Sequence, residues 1–346
     1  MQQLTRTKLA AYFAHIAKLN GIASANEKFN VTPTIQQKLE NAIQESSAYL
    51  QLINMIGVTE KSGDKLRLGT NGPIASRTDT TQNDRNPRDV SNLTEQGYNC
   101  AKTDFDTAFP YALIDAWAKF PDFQTRLAAA IVGQQALDRL MIGWNGTSVA
   151  AQTSLANNPL LQDVNKGWLQ NLRDQAPGQV MAHGDKSDKE VRVGPGGDYE
   201  NLDALVYDAV TLLAPWYQED TALRVHVGRK MLHDKYFPKV NRDQTGMDEL
   251  ASQILITQKT IGSLQGLMVP FFPTNSVLIT RPDNLSIYYQ DGARRRYVVD
   301  EPKRDRIANY ESSNDAYVVE DNQGAVLIQN IVMGNWTSGG AGGTGG

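Results

Sequence analysis

Two carboxylates two residues apart, Asp104 and Asp106, are the first candidates for chemistry. Alternate residues of a strand share a face, and a carboxylate pair on one face can move protons or hold a hard cation. On a solvated strand the same pair is ordinary surface. The four histidines, His15, His183, His226 and His233, include no pair at the i,i+4 spacing of a helical metal site. His226 alternates with Val225 and Val227, which suits a histidine on a strand rather than a ligand. The lone Cys100 can form neither an internal disulfide nor a Cys-Cys metal site. Gly194-Pro-Gly-Gly197 lacks the Gly-Lys-Ser/Thr that would cradle a phosphate, so it reads as a turn. There is no Gly-x-Ser-x-Gly elbow. The residues therefore point to no catalytic site, no metal and no cofactor.

The densest basic groups are Arg294-Arg295-Arg296 and Lys303-Arg304-Asp305-Arg306. They could touch nucleic acid. Asp291, Asp300, Glu301 and Asp305 lie among them, so surface or intersubunit ion pairs involving Arg294, Arg295, Arg296, Arg304 and Arg306 are the better expectation. A net charge of −4 excludes a nucleic-acid binder held by bulk positive charge. Pro215-Trp-Tyr-Gln-Glu-Asp220 carries aromatic residues able to anchor an interface, or simply to end a core helix at the surface.

The elements that would position these groups follow from periodicity. Residues 1–20 read as an amphipathic helix, with Leu9, Tyr12, Phe13, Ile16 and Leu19 at helical spacing and Gly21 as a stop. No acid occurs before Glu27, whereas Arg6, Lys8 and Lys18 are basic. Such a start suits either a transit peptide or a helix that docks on something. A second amphipathic stretch covers residues 34–52, with Ile35, Leu39, Ile43 and Leu50 as its apolar positions. A turn-rich polar stretch, 69–88, lies between candidate strands at 65–68 and 97–109. A polar loop of that length in a compact domain is usually functional or disordered, and here it reads as a projecting loop or hairpin.

The strongest helix spans 122–144, and its two apolar stripes predict cover on more than one side. Residues 145–199 look less ordered. An alternation then follows: helix at 202–213, strand at 223–227, helix at 230–236, strands at 267–272 and 276–279. The final part, 285–332, is strand-rich, and the glycine-rich tail carries no fold. No apolar run approaches the ~20 residues needed to cross a bilayer. The residues thus describe an α+β protein with a basic head, a long polar loop and a long buried helix, suited to assembly with copies of itself.

Several short motifs, in order, carry a resemblance. They include Leu19-Asn-Gly-Ile22, Gln44-Glu-Ser-Ser47, Gly72-Pro-Ile-Ala-Ser76, Thr78-Asp-Thr80 and Asp122-Phe-Gln124. Later come Leu161-Gln-Asp-Val164, Gly167-Trp-Leu-Gln170, Gly196-Gly-Asp-Tyr199 and Pro215-Trp-Tyr-Gln-Glu-Asp220. Asp234-Lys-Tyr-Phe-Pro238, Asn284-Leu-Ser-Ile-Tyr-Tyr289, Asn309-Tyr-Glu-Ser312 and Tyr317-Val-Val-Glu-Asp321 complete the series. In this order the chain resembles the major capsid proteins of peduoviruses, the P-two-like tailed bacteriophages. It departs from them at the glycine-rich tail and around residues 182–190.

The resemblance implies the Hong Kong 97 type capsid fold. It implies an amino-terminal scaffold-like helix or propeptide at 1–29, an N-arm at 30–56 and an extended E-loop at 57–99. The P-domain would take 100–197, with its spine helix at 122–144, and the A-domain 198–280. Return strands would occupy 281–333, before a flexible tail at 334–346. In the E-loop, Gly72, Pro73, Ile74, Arg77, Asp79 and Arg85 would lap over a neighbouring subunit. The subunits would form pentamers and hexamers of an icosahedral shell around double-stranded DNA, bound without sequence specificity. A scaffold/protease protein and the portal are the further implied partners, with no membrane. Maturation cleavage would fall near Phe29 and Asn30, in an extended and exposed link, after the preceding helix had bound scaffold through its apolar stripe. The shell would be assembled in the host cytoplasm and become the virion capsid. An encapsulin-like compartment shares the fold and is the alternative, with an enzyme of unrecognised type more distant.

Overall fold

The computed structural model describes residues 3–65, 75–82, 84–85, 96–117, 120, 122–232 and 260–336. The chain opens with α1 (Gln3–Asn20), the short strand β1 (Phe29–Asn30) and α2 (Pro33–Glu45). Strands β2 (Asn54–Val58), β3 (Ser62–Lys65), β4 (Gln96–Asn99), β5 (Ala101–Asp104) and β6 (Thr107–Pro110) follow. Next come α3 (Tyr111–Trp117), the long α4 (Phe123–Asn145) and α5 (Trp168–Gln175). Strands β7 (Val180–Met181) and β8 (Val191–Val193) precede α6 (Leu202–Ala209) and α7 (Pro215–Gln218). The rest is strand: β9 (Arg224–Val227), β10 (Thr260–Ile261), β11 (Leu264–Met268), β12 (Val277–Thr280), β13 (Leu285–Gln290), β14 (Arg295–Glu301), β15 (Arg306–Val319), β16 (Ala325–Ile328) and β17 (Ile331–Met333).

The first sheet is organised by β15, which is long enough to take two partners along each edge. On one side it pairs antiparallel with β14 through its first half and with β13 through its second. On the other it pairs with β6 and then β5. β1 extends the sheet beyond β14, and β2 runs parallel to β13. The second sheet has the order β10-β11-β9-β12-β16-β7. Its central strands Val277–Thr280 and Ala325–Ile328 are buried at every position. Burial on both faces is why they read as continuous apolar runs rather than as alternation.

An aromatic joint connects the sheets. Trp144, at the end of α4, packs on Trp168 of α5 (ring centroids 4.7 Å), on Phe272 (5.0 Å) and on Tyr49 (5.5 Å). Trp168 meets Tyr317 of β15 at 5.3 Å, and Tyr49 meets His226 of β9 at 5.8 Å. Gly143 permits this closeness, since a Cβ there would fall 2.2 Å from the Trp168 ring.

Most expected elements appear with shifted ends. The 34–52 helix ends at Glu45 and resumes as a single 3-10 turn, Leu50–Leu52. The strand expected at 97–109 is three strands, β4, β5 and β6. Residues 229–232 begin the helix expected at 230–236, and 233–236 lie outside the described residues. Two expectations are corrected. Residues 145–199 are ordered by α5, β7 and β8, because Trp168, Leu169 and Leu172 recur at helical spacing and are sealed in the core. The long helix is not covered throughout: Ala128, Ala129, Ala130 and Leu137 are exposed, and burial is dense only towards its C-terminal end.

Candidate assembly surfaces and their buried anchor

The chain's most concentrated electrostatics lie inside it. α2 presents Gln36, Glu40 and Ile43 on one face, all buried. Two of these three are polar, so α2 is held by hydrogen bonds as much as by apolar contact. Gln36 donates to the Gln290 carbonyl (2.9 Å) and accepts from the Gly292 amide (2.9 Å). Glu40 meets Arg139 of α4 through both carboxylate oxygens and Arg294 at 2.6 Å. Arg294 also reaches Glu311 at 2.8 Å and the Gln135 amide oxygen at 2.8 Å. Asp315 lies 3.2 Å from Arg139. Burial alone would raise the Glu40 pKa, and the guanidiniums of Arg139 and Arg294 override it, leaving the carboxyl below its ordinary value. Glu311 is likewise lowered, against burial, by Arg294. Removing one member of so dry a cluster strands the others, and that is where its energetic weight lies.

Arg294 is thus not a surface cation. It is wholly buried, its partners belong to its own chain, and an intersubunit role is excluded for it by burial. Arg296 donates to the Asn309 side chain (2.9 Å) and to the Tyr12 hydroxyl (3.1 Å), tying α1 to the sheet. Arg306 pairs with Glu301 at 2.6 Å. Arg295 and Arg304 are exposed. In the loop, Arg77, Asp79 and Arg85 are exposed, and Asp79 accepts from the Thr81 amide and hydroxyl at 3.0 and 2.6 Å. Those two bonds lower its pKa. Gly72, Pro73 and Ile74 lie outside the described residues. The base of the loop is the antiparallel pair β3–β4, which closes with Lys65 opposite Gln96.

The amino-terminal segment is docked on its own chain. Leu9 and Ile16 of α1 pack with Ala25, Phe29, Val31, Ile114, Val298 and Ile307 in one buried cluster. Thr5 donates to Asp115 at 2.5 Å and Lys8 to the Phe120 carbonyl at 3.1 Å. This corrects two expectations. The apolar stripe of α1 faces the chain's own sheet, so in this state it is not free to hold a scaffold. The link at Phe29 and Asn30 is extended but paired with β14, where Phe29 is buried and Asn30 exposed.

The candidates for chemistry dissolve into structure. Asp104 is exposed and pairs with Lys102 at 2.6 Å, while Asp106 falls between β5 and β6 and accepts from the Glu311 amide at 3.2 Å. Both line an open groove of about 530 Å³ with Arg295 and Tyr310. Among the described residues no three His, Cys, Asp or Glu side chains gather as a metal site. His226 is sealed between the sheets, and burial brings its pKa down to about 4, so it is neutral. Gly194-Pro-Gly-Gly197 is a turn, with Gly194 at φ +132° and the Gly334 carbonyl 1.9 Å from where its Cβ would be.

What remains outward is apolar surface. Tyr207 is 70 % exposed, Leu155 67 % and Trp216 51 %. The neighbouring Tyr217 is instead tied to Asp321 at 2.5 Å. Sequence reasoning missed Glu40, Gln135, Arg139, Glu311 and Asp315. A signal existed for the helical ones: Gln36 and Glu40 share the period of Ile43, and Gln135 and Arg139 that of Ile131 and Ile142.

Known structures place this arrangement. A chain from the satellite phage P4 procapsid including size determination (Sid) protein superposes with a TM-score of 0.81 at 44 % identity, covering 97 % of this chain and 100 % of that one. The capsid of an empty GTA particle matches in fold alone, at TM-score 0.51 and 16 % identity, over 83 % of this chain and 90 % of that one. The mixed α/β architecture is therefore that of a phage capsid subunit of the Hong Kong 97 type. The family model "Phage major capsid protein, P2 family" matches residues 8–331. The capsid proteins of Escherichia phage P2 are 45 % identical over 347 residues, 98 % of this chain and 97 % of that one. The major capsid protein of Serratia phage KSP20 is 38 % identical over 348 residues, 98 % and 100 % of the two chains. The chain belongs to the P2 family of phage major capsid proteins. Its function is that of a shell subunit, assembled with copies of itself into the virion capsid.

Proposed function

We propose that the shell is built from pentamers and hexamers of this chain, with the α2 region as N-arm, residues 57–99 as E-loop and α4 as spine helix. The A-domain would take 198–280, and residues 100–197 with the return strands 281–333 would form the P-domain. The observation that carries this reading is the superposition, over nearly the full length of both chains, on a subunit from a procapsid. The surface agrees with it. The outward half of α4 and the exposed Tyr207, Leu155 and Trp216 are apolar area that neighbours would cover. Lapping contacts of this kind bury roughly 2,000 Å² or more per obligate pair, and many weak contacts close a shell through multivalency.

The subunit makes and breaks no bond of its own in this account. A scaffold/protease protein guides assembly and cuts the chain near Phe29 and Asn30, the portal occupies one vertex, and double-stranded DNA fills the interior. Because β1 is paired with β14, the cut requires β1 to leave the sheet first. A net charge of −4 keeps packaged DNA from being gripped by the wall. Co-expression with the scaffold partner followed by electron microscopy tests the reading. Closed particles with five- and six-fold rings are expected, and a purely monomeric product would overturn it.

A further inference from the structure

The sealed cluster beneath α2 holds two guanidiniums, Arg139 and Arg294, against three carboxylates, Glu40, Glu311 and Asp315. All five side chains are at most 3 % exposed. Among these five sealed side chains the charges do not balance, although the half-buried Arg296 also acts on Glu311, and an unbalanced buried charge is expensive to keep. The geometry identifies the odd member. Glu40 bridges both arginines and Glu311 binds Arg294 at 2.8 Å. Asp315 has the longer contacts, 3.4 Å from Oδ1 and 3.2 Å from Oδ2 to the same Arg139 nitrogen. Its Oδ1 accepts from the Ser313 hydroxyl at 2.6 Å, whereas Oδ2 has no hydrogen-bond partner.

We propose that Asp315 is a proton-holding latch: protonated, it leaves the cluster neutral and α2 sealed on α4 and β15, and its ionisation releases α2. The proton balances the count, leaving two cations against two anions. On ionisation the second negative charge on Arg139 faces Glu40 across a dry interior. Water is the available relief, and α2 is the element whose lifting admits it, since α2 supplies Glu40 and is itself held by polar bonds. Charged and titratable groups face the cluster from every element packed against it, Arg296 of β14 acting on Glu311 among them. α2 presents Glu40 and α4 presents Arg139, with Asp138 beside Tyr317. β13 brings Tyr289, which senses Glu40 and Arg139. The approach to β14 brings Arg294, β15 brings Ser313, Glu311 and Tyr317, and Cys100 lies towards β5. The Asn165 amide donates to the Asp315 main-chain carbonyl at 2.8 Å and leaves the carboxyl untouched. Burial first, and Glu40 next among the charges that raise it, push the Asp315 pKa up, with Arg139 opposing. A carboxyl raised in this way contributes stability on the acid side that is lost as pH rises through its folded value. The latch is a property of the single subunit and does not depend on how subunits assemble.

Hydrogen exchange of the α2 amides in the unassembled full-length chain tests this. After correction for intrinsic base catalysis, the opening constant should rise with pH above the ordinary aspartate range, at up to tenfold per pH unit, and level off once Asp315 ionises in the closed form. Asp315→Asn keeps the shape without the charge and should make the profile flat. Infrared difference spectra recorded at a pH where that profile is still rising should show a protonated carboxyl band that D315N lacks. A flat wild-type profile overturns the proposal even if D315N does not fold. So does a D315N profile that keeps the wild-type slope, or the absence of the carboxyl band.

Discussion

The Glu40 carboxylate and the Arg139 guanidinium meet through two nitrogens and two oxygens, with 1 % and 0 % of their side chains exposed. The pair joins the short helix after the amino-terminal segment to the long helix of the domain. Everything before α2 is attached chiefly through the apolar cluster around Leu9, Ile16 and Phe29. α2 itself is keyed by charge as well as by the buried Ile43.

Breaking the pair from one side should therefore cost far more than its surface counterparts. Glu40→Ala removes the carboxylate that bridges Arg139 and Arg294 and leaves Arg139 only its longer contacts to Asp315 in a dry site, and about 3–5 kcal/mol of stability should be lost. Breaking the exposed pair Arg126–Asp122 should change stability far less, because water solvates both partners. Denaturant unfolding of the unassembled chain checks both, and equal losses would show that the cluster is not an anchor.

The amino-terminal cluster should behave as a separable layer. Leu9→Ala or Ile16→Ala should cost about 2–4 kcal/mol without weakening the protection of α2, and residues 1–31 should be removable as a whole. The deleted chain should keep the protection of α2 against hydrogen exchange, because Gln36 and Glu40 find their partners in residues 135–315. Loss of that protection would mean that α1 and α2 form one unit.

Much of this architecture was legible beforehand, for reasons that particular residues make clear. The helix at 123–145 declares itself by the local period of its apolar residues, and the strands around Ile287, Val318 and Leu327 by short runs rich in apolar and β-branched residues. The three consecutive arginines do not. Arg294 is sealed, Arg295 exposed and Arg296 bonded to Tyr12, and neighbours in sequence are sorted this way only by partners 254 or 284 residues distant. Glu40 and Arg139 read as solvated for the same reason, since a charge is buried only where a distant counter-charge meets it. The apolar stripe around Ala129 predicts cover that the single subunit does not supply, because hydrophobicity reports that a surface wants a partner without saying whose.

The loop should be dispensable for folding and required for shells. Lys65 faces Gln96 across the β3–β4 pair, so a two-residue Asn-Gly turn can replace residues 66–95 without opening the ladder. The shortened chain should unfold at an unchanged denaturant midpoint and form no closed particles with scaffold. Normal assembly would refute the E-loop assignment.

His226 should give the chain an acid limb. Burial lowers its pKa from 6.5 to about 4, so the stability it contributes is full above the unfolded value and is lost as pH falls through the folded one. Substituting phenylalanine should reduce the fall in unfolding free energy between about pH 6.5 and 4 by up to about 3 kcal/mol, at 1.36 kcal/mol per pKa unit. An unchanged acid limb would place the loss among the carboxylates instead.

Intact-mass measurement on mature particles addresses the amino-terminal segment. Subunits lacking the residues up to about Asn30 are expected, with α2 retained. A mass that keeps them in most subunits would make α1 a permanent layer of the wall.

The central claim is that this chain closes on copies of itself, and electron microscopy of the purified protein with its scaffold partner tests it most directly. The account predicts closed particles whose walls resolve into rings of five and six, each subunit showing the long helix of residues 123–145 in the wall. A preparation containing scaffold and yet only compact monomers would contradict it.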